Sequence, residues 1–293
     1  MKHVALSVAL LCCALGARAT DTPDYRLPAG IEPVSQVIDL TLDPSQADYT
    51  GSTVIALSIT ETVDRIGVNQ VGLEFTSVEL LSDTGQRTLE ATAGEWERSW
   101  LSDGTPVAPG EYTLKIAFSG SYTTDGLGMH RARFEDNDYI FTQMEAMYAR
   151  RAFPVFDEPS FKIPFQLIIN APDELTVAAN TPVEIVEKED GWQRVTFMET
   201  PPLSSYLIAY AVGPLDRVAI EGLSVPGHIY VPKGHAGELG FVLKHTPKIV
   251  AALEKYFGSK YPFRKLDFVA VPDFAFGAMD NPGLITYRTD LLL

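Results

Sequence analysis

Two short stretches carry side chains whose types and spacing could do chemistry. The first is Phe276-Gly277-Ala278-Met279-Asp280-Asn281, small residues followed by an acid and an amide. Small side chains leave backbone N–H and C=O groups within reach, so an extended peptide could add to such an edge as a further strand. Asp280 would then hold a cationic group at the end of that peptide. The same letters, Asp280-Asn281-Pro282-Gly283, also spell an ordinary turn, and residue types alone favour the turn.

The second stretch runs from Thr142 to Pro159 and mixes Gln143 and Glu145 with Arg150, Arg151, Asp157 and Glu158. The two arginines can pair with the two acids and pin the loop, a purely structural role. Gln143 and Glu145 lie two apart, so on a strand they share one face. That suits a small polar pocket, and it equally suits two side chains in water.

Strands dominate what must position these residues. Ile38, Leu40 and Leu42 alternate with polar residues, as do Ile55, Leu57 and Ile59, then Tyr112, Leu114, Ile116 and Phe118, then Phe161, Ile163, Phe165, Leu167 and Ile169. A period of two puts one face in a core and the other in water. Turn signals at Asp43-Pro44, Asp83-Thr84-Gly85, Asp103-Gly104, Pro109-Gly110 and Asp190-Gly191 punctuate the runs. The expected fold is mainly β: an antiparallel β-saddle or sandwich. Near Gly213-Pro214 the pattern changes. Leu239, Val242, Leu243, Thr246, Ile249, Val250, Leu253 and Phe257 recur at helical spacing. Pro247 should kink that helix or restart it with Thr246 as the cap, and Gly258 should end it. The expected organisation is residues 20–213 as a β domain and 214–293 as the beginning of a second, incomplete α+β domain.

The chain has 293 residues, with Lys+Arg 23 and Asp+Glu 38, for a net charge of −15. That length supports a sizeable core, and the acidic balance argues against nucleic acid as a partner. Residues 1–19 read as a signal peptide: Lys2, an apolar run from Val4 to Leu15, and Ala17-Arg18-Ala19 for cleavage. Cys12 and Cys13 are poor lipidation matches, because Leu11 and Cys12 precede them where a small residue is needed. The expected location is therefore periplasmic or extracellular, with a lipoprotein as the lesser alternative. No later stretch has the length and apolarity of a membrane span. Trp96, Trp100 and Trp192 offer a weaker reading as a carbohydrate-stacking surface.

Taken together, the motifs resemble the M1 (gluzincin) family of zinc metallo-aminopeptidases. Thr142 to Pro159 is similar to its T-Q-x-E-x-x-x-A-R-R-x-F-P-x-F-D-E-P segment, and Gly277 to Asn281 to its G-A-M-E-N motif. Tyr256-Phe257-Gly258, Tyr261-Pro262-Phe263 and Lys265-Leu266-Asp267 fit as well. The resemblance implies a β-saddle followed by a thermolysin-like catalytic domain, and peptides with a free N-terminus as partners. It implies that Gly277, Ala278, Met279 and Asn281 line the substrate strand, that Asp280 and Glu145 grip the α-amino group, and that Gln143 lines the pocket for the first side chain. Asp280 stands where the family has glutamate, one methylene longer. The resemblance also implies zinc in the full-length enzyme, held by H-E-x-x-H. The five histidines, His3, His130, His228, His235 and His245, form no such pair. The expectation is a chain cut short before the zinc helix, with no catalytic or metal-binding residue of its own. A non-catalytic peptide-binding or scaffold member of the family is the alternative.

Overall fold

The computed structural model describes residues 25–293. The signal-peptide assignment, with Cys12 and Cys13, lies outside them.

An eight-stranded sheet forms the base. Its order across the sheet is Val183–Glu189, Trp192–Phe197, Phe165–Pro172, Ile31–Thr41, Asp48–Ile59, Gly110–Ser121, Glu74–Ser82 and Gly85–Thr88. Every pairing is antiparallel except Ile31–Thr41 with Phe165–Pro172, where the chain returns after more than a hundred residues. The register places Ile38 opposite Thr53, and Thr53 opposite Ile116. The alternating apolar residues therefore fall on one face, and Ile38, Leu40, Ile55, Leu57, Leu114, Ile116 and Phe118 are all buried.

Two smaller sheets cover that face. One is Ile66–Asn69, Arg98–Ser102 and Glu90–Ala93, and it closes the core around Ile55, Leu57, Leu114 and Ile116. The other is Thr176–Ala179, Tyr210–Gly213, Asn137–Gln143 and Gly128–Phe134. Ile140 and Val212 of this four-stranded sheet pack on Ile38, Leu40 and Phe118 of the base. Its opposite face, with Tyr139 and Phe141, packs on a third layer.

That layer is a mixed five-stranded sheet, ordered Leu215–Ala219, His228–Pro232, Asp267–Val271, Leu284–Arg288 and Ala278–Met279. Tyr230, Val269, Val271 and Leu284 meet the four-stranded sheet, while Ile229, Val231, Phe268 and Ala270 face the helix Gly240–Phe257. The chain passes between these sheets at Gly213-Pro214-Leu215, where the composition shifts, and one apolar core spans both sides.

The helix does not restart at its middle. It runs unbroken through Pro247, with Thr246 buried inside it rather than capping a new segment. The proline removes one N–H bond, to the Leu243 carbonyl, and its ring lies against Gly222, where a Cβ would come within 3.6 Å of it. Gly258 ends the helix as expected, at φ 67°, donating its N–H to the Glu254 carbonyl. Leu239, Val242, Leu243 and Val250 pack on the five-stranded sheet, whereas Ile249, Leu253 and Phe257 are exposed.

The arginine pairing is also redistributed. Arg150 binds Asp157 as expected, Nε to Oδ2 at 2.8 Å, and adds Glu97 at 2.9 Å. Arg151 instead pairs with Asp125 at 2.9 Å, and Glu158 accepts the Leu27 N–H. The cause is a 3₁₀ turn over Ala149–Arg151, which turns one guanidinium inward and the other outward.

Candidate functional site

The strand Asn137–Gln143 carries Tyr139, Phe141 and Gln143 on one face, because side chains alternate. Tyr139 and Phe141 stack, with centroids 5.8 Å apart, and share a buried cluster with Met279 and Phe274. This cluster joins the strand that leads into the first stretch to Met279 of the second. Gln143 ends the strand, 3% exposed, with no hydrogen-bond partner for Oε1.

Glu145 does not share a strand face with Gln143. The strand stops at Gln143, Met144 buries itself in the core below, and Glu145 opens a turn closed by the Tyr148 N–H donating to the Met144 carbonyl. Burying Met144 is what ends the alternation, and it leaves the Glu145 carboxylate in solvent.

On the other stretch, Ala278–Met279 is a two-residue strand at the margin of the five-stranded sheet, antiparallel to Leu284–Arg288. Arg288 N–H donates to the Gly277 carbonyl at 3.0 Å. One side of this short strand is therefore paired, and the other side borders no strand of its sheet. Gly277, Ala278 and Asp280 are exposed, while Met279 and Asn281 are buried. Neither Asp280 nor Glu145 has an ion-pair partner among the described residues, as for many acids in a chain where 38 acids outnumber 23 bases.

The turn after Asp280 is held from three directions. Asn180 Nδ2 donates to the Pro282 carbonyl at 2.9 Å, and Lys265 Nζ donates to the Gly283 carbonyl at 2.9 Å. Gly283 N–H donates to the Tyr261 hydroxyl at 3.0 Å. Lys265 is buried and also contacts Asp267 Oδ2 at 2.6 Å. Burial pushes the Lys265 ammonium below the usual lysine range, and the Asp267 carboxylate pulls it back up. The sequence motif marked Lys265 and Asp267 without indicating this anchoring. Asn180 carried no signal at all.

His130 lies opposite Phe141, buried at 5% exposure, with Nδ1 unpartnered. Burial lowers its pKa to about 4, partly offset by a bond to the Gly128 backbone. The remaining described histidines are engaged separately: His228 with Asp267, His235 between Glu135 and Glu238, and His245 against Phe241. They stand on different elements, and no group of three or more His, Cys, Asp or Glu among the described residues is placed to hold a metal ion. These histidines do not fit a zinc site.

Layered β sheets pass into a sheet-and-helix unit, with the exposed Asp280 following the edge strand Ala278–Met279. Residues 25–207 match the Peptidase M1 N-terminal domain and residues 241–293 match the Peptidase family M1 domain, so the chain belongs to the M1 peptidase family. Aminopeptidase N of Acetobacter pasteurianus is 32% identical over 275 residues, covering 92% of this chain and 77% of that protein. Aminopeptidase M1-A of Oryza sativa subsp. japonica is 34% identical over 282 residues, and Aminopeptidase 2, mitochondrial, of Saccharomyces cerevisiae is 34% identical over 278. The chain spans 32% and 29% of the lengths of those two proteins. No helix among the described residues is long and apolar enough to cross a membrane.

Proposed function

We propose that this chain carries the amine-recognition half of an exported zinc aminopeptidase, which removes residues from peptides with a free N-terminus. Residues 20–213 would form its N-terminal domain and 214–293 the beginning of its catalytic domain. The observation that supports this reading is that the exposed Asp280 follows Ala278–Met279, a strand paired on one side only, within the part of the chain that matches the Peptidase family M1 domain. An extended substrate adds to Ala278–Met279 by backbone pairing, and its α-ammonium lies between the two carboxylates. Charge-assisted bonds of this kind are about twice as strong as neutral ones. An acylated amine would leave both acids without a donor, which enforces action at chain ends.

Zinc and the hydrolytic step belong to H-E-x-x-H, and the 293 residues contain no such pair. The second reading is a family member that binds peptides without cleaving them. Both readings place the amine clamp at Asp280. Calorimetry with a free tetrapeptide and its N-acetyl form tests the clamp: the free peptide should bind and the blocked one should not. Equal binding of the two would refute it. Recovery of the free peptide uncut, in the presence of added zinc, is the expected result for this chain. Export rests on residues 1–19, and sequencing the N-terminus of secreted protein checks it.

A further inference from the structure

A cleft of about 380 Å³ lies between the N-terminal sheets and the five-stranded sheet, away from the edge strand Ala278–Met279. Thr176 to Ala179, Thr181 to Val183 and Phe197 line it from one side, and Arg217, His228, Tyr230, Arg264, Lys265 and Asp267 from the other. Its charged lining is three cations and one acid, in a chain of net charge −15. The single acid is already engaged. Asp267 Oδ1 accepts the His228 backbone N–H at 2.8 Å and faces its ring Nδ1 at 3.2 Å, and Oδ2 accepts from Lys265 at 2.6 Å.

Among the described residues the two guanidiniums pair with no carboxylate. Arg217 Nη2 donates to the His228 ring, 2.9 Å from Nε2 and 3.3 Å from Nδ1. Arg264 Nη1 donates to the Met198 sulfur at 3.1 Å. Neither partner carries negative charge. Arg217 and Arg264 line the same cleft as the buried Lys265, so positive charge converges there. Forked guanidiniums match carboxylate oxygens in pairs, which lysine does not. On the opposite wall Val183 is exposed and Val177 and Pro182 half-buried, a hydrocarbon surface backed by the buried Ala178, Ala179 and Phe197.

We propose that this cleft binds a small organic carboxylate, with Arg217 and Arg264 gripping the anion and the Val177–Phe197 wall receiving an apolar body. It is a ligand site separate from the amine clamp, and it takes the opposite charge. The ligand bridges the two halves of the chain, since its anion and its body contact different sheets.

Calorimetry on the full chain at constant ionic strength tests this, using 3-phenylpropionate, its uncharged amide and inorganic phosphate. The carboxylate should bind, with the amide and phosphate each at least tenfold weaker. Arg217→Gln and Arg264→Gln should each weaken carboxylate binding about tenfold, and the double variant should abolish it. Both arginines are exposed and hold no backbone group, so circular dichroism of the variants should match the parent. Amide binding equal to the carboxylate, or a double variant that binds like the parent, would overturn the proposal. Phosphate binding as tight as the carboxylate would overturn its apolar half.

Discussion

The carbonyl oxygen of Asn180 occupies the space where a Cβ on Gly283 would stand. The two would be 1.9 Å apart, and Gly283 adopts φ +76°, a region that only glycine enters freely. This contact presses the turn after Asp280 against the N-terminal sheets. Gly283→Ala should cost on the order of 3 kcal/mol, combining backbone strain with a clash that no side-chain rotation relieves. Urea unfolding measures this, and a loss under about 1 kcal/mol would show that the turn moves freely.

Asp280→Asn should weaken free-amine peptides at least tenfold and leave N-acetyl peptides unaffected, because only a charged carboxylate rewards the ammonium. Glu145→Gln should act in the same direction. Asp280→Glu restores the family's longer side chain and should tighten free-amine binding. Calorimetry on the three variants reads all of these, and an Asp280→Asn variant that still prefers the free amine would contradict the clamp.

Lys265→Met removes the donor to the Gly283 carbonyl and strands a buried Asp267. Breaking such a pair from one side costs about 3–5 kcal/mol. Adding Asp267→Asn to Lys265→Met should recover part of the loss, since no lone buried charge then remains. Equal stability of the single and double variants would mean that Asp267 relies on His228 rather than on Lys265.

His130 sets an acid limit on the fold. Its native pKa of about 4 lies below the ordinary histidine value of 6.5, so the unfolded chain binds the proton first. Stability should be fully present above about pH 6.5 and fall as pH drops toward 4, by about 3 kcal/mol in total. Phe in place of His130 should flatten that part of the pH profile in denaturant titrations. An unchanged slope would assign the acid sensitivity to other groups.

The sequence by itself determined the local pattern. Alternation at Ile38–Leu42, Ile55–Ile59 and Leu114–Phe118 identified the faces that are buried, since a strand exposes every second residue to the same side. Gly258 marked the helix end because the cap needs a left-handed residue. The motif letters identified Gln143, Glu145 and Asp280 as residues of interest. Tertiary structure decided what each buried face meets and which charges find each other. Periodicity carries no information on the partner layer, so nothing local foretold that Phe141 meets Met279 or that Ile31–Thr41 pairs in parallel with Phe165–Pro172. Partners of Arg151 and Lys265 lie on distant loops, so only the folded chain selects Asp125 for the one and the Gly283 carbonyl for the other. Pro247 lies within an intact helix for the same reason: the apolar packing of Val242, Leu243 and Val250 on the five-stranded sheet outweighs a local preference to break.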